Sequence, residues 1–312
     1  MDIGQVVRHI NMLLMASMAK STKTSYTRAW ELFGMCMVAL NLTFRGILDL
    51  PLHHSKILLF IGFLHMHGYS SSTITTYVCA LGYIHRIKGF VNPTTMLIVQ
   101  KTLAAVNKLN PSVDSRLPIT LPILEQLNIA LCHTVSCPYN RVLLQAMNTT
   151  AFYGLMRIGE ITRDTEGGIS LMLSNITIFH NHIVLKITKF KYNLKRQPFD
   201  IVLCRKPQLS ICPFTSLINY LKFRGLQPGP LFCFPNMQPI SREFFISNLN
   251  MNLTFCGLNV KFYKSHSYRI GGASYYASMG MSDEELRLLG RWKGDTFKRY
   301  IRCERILSAV NR

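Results

Sequence analysis

A mainly helical chain of two domains, with one small antiparallel sheet in the second, is the fold class that the sequence predicts. Three observations carry it. The chain has 312 residues, which at about 150 residues per domain suits two domains rather than one. Apolar residues recur at helical spacing over most of its length, and only the region 182–203 alternates apolar and polar residues as paired strands do. Hydrophobic residues make up 48% and charged residues 16%, enough apolar surface for real cores and too little charge for a disordered chain. The longest apolar stretch, Ile57 to Leu64, is far shorter than the ~20 residues that span a bilayer, so no membrane partner is expected.

Taken in order, Ser21-Thr22-Lys23-Thr24 leads into a helix over 25–33, and periodicity over 55–67, 73–86 and 95–107 adds three more, giving a compact helical domain over residues 1–108. Lys20, Lys23, Arg28, Arg86 and Lys88 lie there among Thr73, Thr75 and Thr76, cations and small hydroxyls of the kind that contact phosphates. A solvated polar face explains any one of them equally well. Pro111 and Pro118 among short polar residues disfavour continued helix and mark a linker over 109–121. The second domain, 122–312, opens with helices over 122–136 and 140–156. Strands follow over 182–191 and 199–203, joined by a basic connector from Lys189 to Arg196. Pro213 to Arg224 is an amphipathic helix closed by Gly225, and Ser282-Asp283-Glu284-Glu285 is a capping box that starts a short helix ending at Gly290.

Charge narrows the chemistry. Lys and Arg number 35 against 15 Asp and Glu, a net +20 and a sequence pI near 9.8, so the natural partner is a polyanion. Chemistry on paired metals needs clustered carboxylates, which are scarce here, so metal-free catalysis without a cofactor is expected. Nine cysteines without paired spacing read as reduced thiols of an intracellular protein. Met1-Asp2-Ile3-Gly4 opens without the basic and apolar regions of a secretory signal. Cys132-His133 with Cys137, and Cys204 with Cys212, lack zinc spacing and read as core or incidental cysteines.

Three segments concentrate groups suited to one task. Phe152-Tyr153-Gly154-Leu155-Met156-Arg157-Ile158-Gly159-Glu160 places an arginine after an apolar helix and a glutamate three residues on. His266-Ser267-Tyr268-Arg269-Ile270-Gly271-Gly272 sets a histidine and an arginine one helical turn apart. Leu289-Gly290-Arg291-Trp292 runs on to Lys298-Arg299-Tyr300-Ile301-Arg302. Singly each is weak: Tyr300 alone is an ordinary half-buried aromatic, Arg157 a helix-terminal cation, His266 a satisfied polar side chain and Trp292 core.

In this order and in a basic chain, the segments resemble the tyrosine recombinase (phage integrase) family of DNA strand-exchange enzymes. The His-Ser-aromatic-Arg stretch and the Gly-Arg-Trp to Tyr-Ile-Arg ending are most similar to recombinases of eukaryotic DIRS and Ngaro type retrotransposons. Ile211 to Thr215 and Arg224 to Phe232 look like theirs too, and Trp292 stands where many members have histidine. The eight-residue step from Trp292 to Tyr300 (300 − 292) matches the same group.

The resemblance implies a helical SAM-like N-terminal domain and a mixed α/β catalytic domain that act on double-stranded DNA. It implies assembly as a tetramer on the DNA, in the nucleus. Tyr300 then attacks a backbone phosphorus to leave a 3′-phosphotyrosyl bond. Arg157 and Arg269 hold the nonbridging oxygens, His266 takes the tyrosine proton or donates to the phosphate, and Trp292 donates its indole N–H. A connector lysine protonates the leaving 5′ oxygen: Lys191 is favoured, and Lys189, which projects from the same face, is the alternative or else a DNA contact. Lys20, Lys23, Arg28, Thr76 and Arg86 are the DNA contacts of the helical domain. Two further readings fit the same motifs, a non-cleaving DNA-binding descendant and a relaxing topoisomerase that works at single sites.

Overall fold

A computed structural model describes residues 2–111, 114–163, 171–188, 190, 193, 197–206 and 211–302. The chain divides into two compact units, Met1–Asp114 and Ser115–Arg312.

The first unit is all helix: α1 (Ile3–Ala16), α2 (Lys20–Ala39), α3 (His54–Met66), α4 (Ser71–Ile87) and α5 (Leu97–Leu109). Phe33, Met37, Ile57, Phe60, Leu64, Ile74, Leu81 and Val99 are buried in one core, because α2, α3, α4 and α5 each put apolar residues on one stripe. Phe33 anchors it, with the Phe44 and Phe60 rings edge-on at 5.0 and 5.3 Å. Ser70 caps α4 by accepting from the Thr73 N–H. Buried His85 is a structural residue, accepting from the Leu52 N–H at 2.9 Å and donating to Leu81 O at 2.7 Å. Helix α1 was not foreseen, although Ile3, Val6, Val7, Ile10, Leu13 and Leu14 recur at helical spacing; in the structure these apolar residues are exposed.

The second unit carries α6 (Leu121–Thr134), α7 (Pro138–Tyr153), the single turn α8 (Ile158–Ile161), β1 (Ile176–Ile178), β2 (His182–Ile187) and β3 (Phe199–Cys204). After these come α9 (Pro213–Arg224), α10 (Arg242–Phe255), α11 (Ser265–Ser278), α12 (Asp283–Leu289) and a 3₁₀ stretch over Gly294–Tyr300. Proline opens α6, α7 and α9, where its missing N–H costs nothing and its φ is already helical. The sheet is antiparallel in the order β1-β2-β3, with Ile183 opposite Leu203 and Leu185 opposite Ile201. Ile183, Leu185, Ile187, Ile201 and Leu203 point into the core against α7 and α9, the alternation visible in the sequence. Three-residue β1 is too short to show a period and was not anticipated. The chain between α9 and α10 is not helical: Arg224 is buried there, its guanidinium donating to the carbonyls of Pro230, Gly225 and Gln227.

The helix expected over 140–156 ends at Tyr153. Gly154 caps it, since a Cβ there would lie 2.8 Å from Thr150 O, and Leu155 follows at φ +45°. The two glycines of α11 answer another demand for space. A Cβ on Gly271 would sit 1.7 Å from Ile119 O, and one on Gly272 would sit 2.2 Å from Phe152 O, so α11 touches both backbones directly. Gly271→Ala should therefore lower stability by at least the ~1–3 kcal/mol typical of overpacking, read as a drop in thermal midpoint. Gly159→Ala, with open space around its Cβ, is the control that should leave the midpoint nearly unchanged.

Candidate active site

Four separate segments of the second unit meet around Glu160. Arg157 precedes α8, where its backbone N–H donates to Glu160 Oε2 at 2.9 Å and its Nη1 donates to Oε1 at 3.0 Å. The same carboxylate receives Arg291 Nη2 at 2.8 Å, and both of those side chains are almost wholly buried. Arg291 Nη2 also donates to Leu155 O at 3.0 Å. Arg269, from α11, donates through Nη1 to that same carbonyl and through Nη2 to Gly290 O. These bonds tie the end of α7, the start of α8, α11 and the turn after α12 into one frame.

Two backbone positions in the frame are strained. Leu155 (φ +45°) and Arg291 (φ +54°) are non-glycine residues in the left-handed region, a conformation that costs about 1–3 kcal/mol and persists only where surrounding contacts over-determine it. The shared hydrogen bonds to Leu155 O and the Arg291–Glu160 pair are those contacts. Gly290 is required next to them, because a Cβ would lie 1.7 Å from the Trp292 ring.

Around the frame sit the remaining groups. The Arg269 guanidinium lies 4.2 Å from the Trp292 ring centroid and 5.6 Å from that of Tyr300. The Trp292 and Tyr300 rings are 5.0 Å apart and the His266 and Tyr300 rings 6.4 Å apart. Trp292 packs with Leu155, Ala273, Leu286 and Phe297, while its Nε1–H and the Arg269 Nε–H are buried donors without an acceptor among the described residues. Tyr300 ends the 3₁₀ stretch and is half-buried; Ser274 of α11 holds it by donating to Tyr300 O at 3.2 Å and accepting from the Arg302 N–H at 3.0 Å.

Three guanidiniums against one carboxylate leave the frame with a net +2 (3 − 1). Burial, then Arg157 and Arg291, pushes Arg269 below the ordinary arginine range, with Glu160 and Tyr300 opposing. His266 is pushed down to about 4 by burial first, then by Arg116, Arg269, Arg157 and Arg242. Its imidazole is accordingly neutral at physiological pH and can accept a proton. Such a gathering of cations favours an anion.

The structure thus brings Arg157, His266, Arg269, Trp292 and Tyr300 together. Lys189 and Lys191 lie outside the described residues. Arg291 was missed: it stood in the Gly-Arg-Trp motif without a role. The signal for it was the scarcity of acids, which leaves one glutamate near two arginines.

In the first unit, Lys20 opens α2 and is exposed, and Lys23 is half-buried one turn on. The Tyr26 and Tyr83 rings meet at 5.4 Å, joining α2 to α4. Thr76, Tyr83 and Arg86 share one face of α4, so Lys23, Thr76 and Arg86 lie along this seam. Exposed Thr76 donates its hydroxyl to Ser72 O at 2.8 Å. Arg28, two residues beyond Tyr26, faces the other side of α2 and pairs with Glu31 at 3.3 Å.

No family model matches the chain, and no curated protein is similar to it in sequence. Solved structures are similar in fold. A lambda integrase tetramer bound to a Holliday junction superposes with a TM-score of 0.63 at 16% identity, over 93% of this chain and 76% of that one. The Tn1549 transposon integrase in complex with transposon right end DNA gives 0.61 at 15%, over 95% and 91%. The site-specific recombinase XerH, in a post-cleavage complex with a palindromic difH substrate, gives 0.63 at 16%, over 92% and 78%. No helix among the described residues is long and apolar enough to cross a membrane. A mostly helical chain with a small three-stranded antiparallel sheet, matched over nearly its whole length to these proteins, has the tyrosine recombinase fold.

Proposed function

We propose that this chain is a site-specific DNA recombinase that cleaves and rejoins double-stranded DNA through Tyr300. The observation that carries the reading is the convergence, within a recombinase fold, of Arg157, Arg269, His266 and Trp292 around one tyrosine. In the step so inferred, the Tyr300 ring shifts off Arg269 and Trp292 to admit a phosphodiester. The bond from Tyr300 Oη to phosphorus forms, the bond to the 5′ oxygen breaks, and a 3′-phosphotyrosyl link remains. The tyrosine proton passes to neutral His266, and Lys191, or Lys189, protonates the leaving 5′ oxygen. Arg269 and Arg157 meet the charge that builds on the nonbridging oxygens. An oxygen there also gives the orphaned Trp292 and Arg269 donors a partner, removing a penalty of about 1–3 kcal/mol for each. Since cations of the chain itself supply the charge stabilisation, no metal is needed for the chemical step.

The similarity of the motifs to DIRS and Ngaro recombinases supports a role in moving such an element within the nucleus. Assembly as a tetramer on the DNA follows from the same reading. The test is incubation of the protein with the terminal repeats that flank its coding region, in excess EDTA, followed by a denaturing gel. A covalent protein–DNA adduct, equal in amount with and without EDTA, is expected. A strict Mg²⁺ requirement for adduct formation would contradict the mechanism.

A further inference from the structure

Behind His266, on the side of α10, lies a second concentration of positive charge that the cleavage step does not use. A cavity of about 380 Å³ is lined by Arg116, Arg242, Asn250, Lys264, Ser265 and His266, with Ile246 and Leu249 beneath. Arg242, Ile246, Leu249 and Asn250 fall on one face of α10. Arg242 is the first residue of α10 and Ser265 the first of α11, so two helix N-termini add their positive ends to the cavity. None of its lining residues is acidic. The cost of this arrangement is already visible in His266, whose imidazolium Arg116 and Arg242 help to disfavour.

We propose that this cavity is a second phosphate subsite, in which Arg116, Arg242 and Lys264 hold a DNA phosphodiester adjacent to the one cleaved. The assignment rests on the recombinase reading for its choice of DNA, and on the cavity for its position. Phosphates along one strand recur about every 3.4 Å of helix axis. A strand whose scissile phosphate lies against Arg269 and Arg157 therefore brings a neighbouring phosphate within reach of groups that adjoin His266. Arg116 and Arg242 are guanidiniums, whose forked donors can share the oxygens of one phosphate. The subsite would fix the register of the strand before Tyr300 attacks, making its residues positioning residues.

The experiment measures binding of the full chain to a short fluorescent duplex by anisotropy over a range of KCl concentrations, with no cleavage required. Arg242→Gln and Arg116→Gln should each weaken binding several-fold and reduce the log–log salt slope by part of the roughly 0.9 that one phosphate contributes, because the other cations still face it. The double variant should reduce the slope further but by no more than about 0.9 in all, because both arginines hold one phosphate. Lys222→Gln, on exposed α9 surface, should change neither. Inorganic phosphate at matched ionic strength should not displace the duplex. Wild-type affinity and slope in Arg242→Gln would overturn the subsite, as would a loss of slope well beyond about 0.9 in the double variant. Displacement by inorganic phosphate that Arg242→Gln abolishes would make the cavity a free-phosphate site instead. Binding is read apart from Tyr300 chemistry, so a chain that shows this signature but forms no adduct keeps the subsite and loses only the cleavage reading.

Discussion

Tyr300→Phe should abolish the covalent DNA adduct, a loss of at least several hundred-fold, while DNA affinity stays within about twofold of wild type. The change removes one oxygen and leaves the ring that packs against Trp292 and Arg269, so the fold and the +20 charge that governs binding are unaltered. Loss of binding together with loss of adduct would mean that Tyr300 acts through structure. Full adduct formation by the variant would mean that another group attacks. Tyr275 and Tyr276 are the controls: the Tyr276 hydroxyl donates to Tyr153 O at 2.9 Å and Tyr275 packs on Phe152 and Tyr153, so Tyr276→Phe should still form adduct.

The second large effect falls on stability. Glu160→Ala removes the partner of a guanidinium whose side chain is 1% exposed, and an uncompensated buried charge costs about 3–5 kcal/mol. For a domain of this size each kcal/mol moves the thermal midpoint by about 2–4 °C, so a fall of about 10 °C is expected in a melting curve followed by circular dichroism. Glu160→Ala combined with Arg291→Met, which removes the stranded charge, should recover more than half of that fall. A single variant melting within a degree or two of wild type would show that the Arg291–Glu160 pair does not hold the frame. The prediction also separates the two arginines that Glu160 binds: Arg157 is partly exposed and can turn to water, whereas Arg291 cannot.

How far the sequence disclosed this arrangement depended on the reach of each signal. Helices α3, α4, α9 and the strands β2 and β3 were legible because their apolar residues keep the period of the element. The capping box at Ser282 was legible because its residues lie within one turn, and the structure has the Glu285 side chain accepting from the Ser282 N–H at 2.9 Å. What could not be read is what depends on partners distant in the chain. The left-handed turn at Leu155 that follows α7 is held by contacts at Leu155 O that come from Arg269 and Arg291, 114 and 136 residues away (269 − 155, 291 − 155). The need for Gly271 comes from Ile119. Helix α1 is an exception: its apolar residues keep the helical period and could have been read, yet they stay exposed in the fold. For the site, the motifs disclosed which residues to suspect, but the pairing of Arg291 with Glu160 and the cationic cavity beside His266 appear only when four segments are brought together.

The most direct test of the central claim is to map the covalent bond. Adduct formed on a duplex nicked just beyond the cleavage position, so that the reaction cannot reverse, is digested with trypsin and nuclease and sequenced by mass spectrometry. The account predicts a nucleotide joined through its 3′ phosphate to the peptide that contains Tyr300, and to no other. A nucleotide on a different residue, or one joined through its 5′ end, would contradict it.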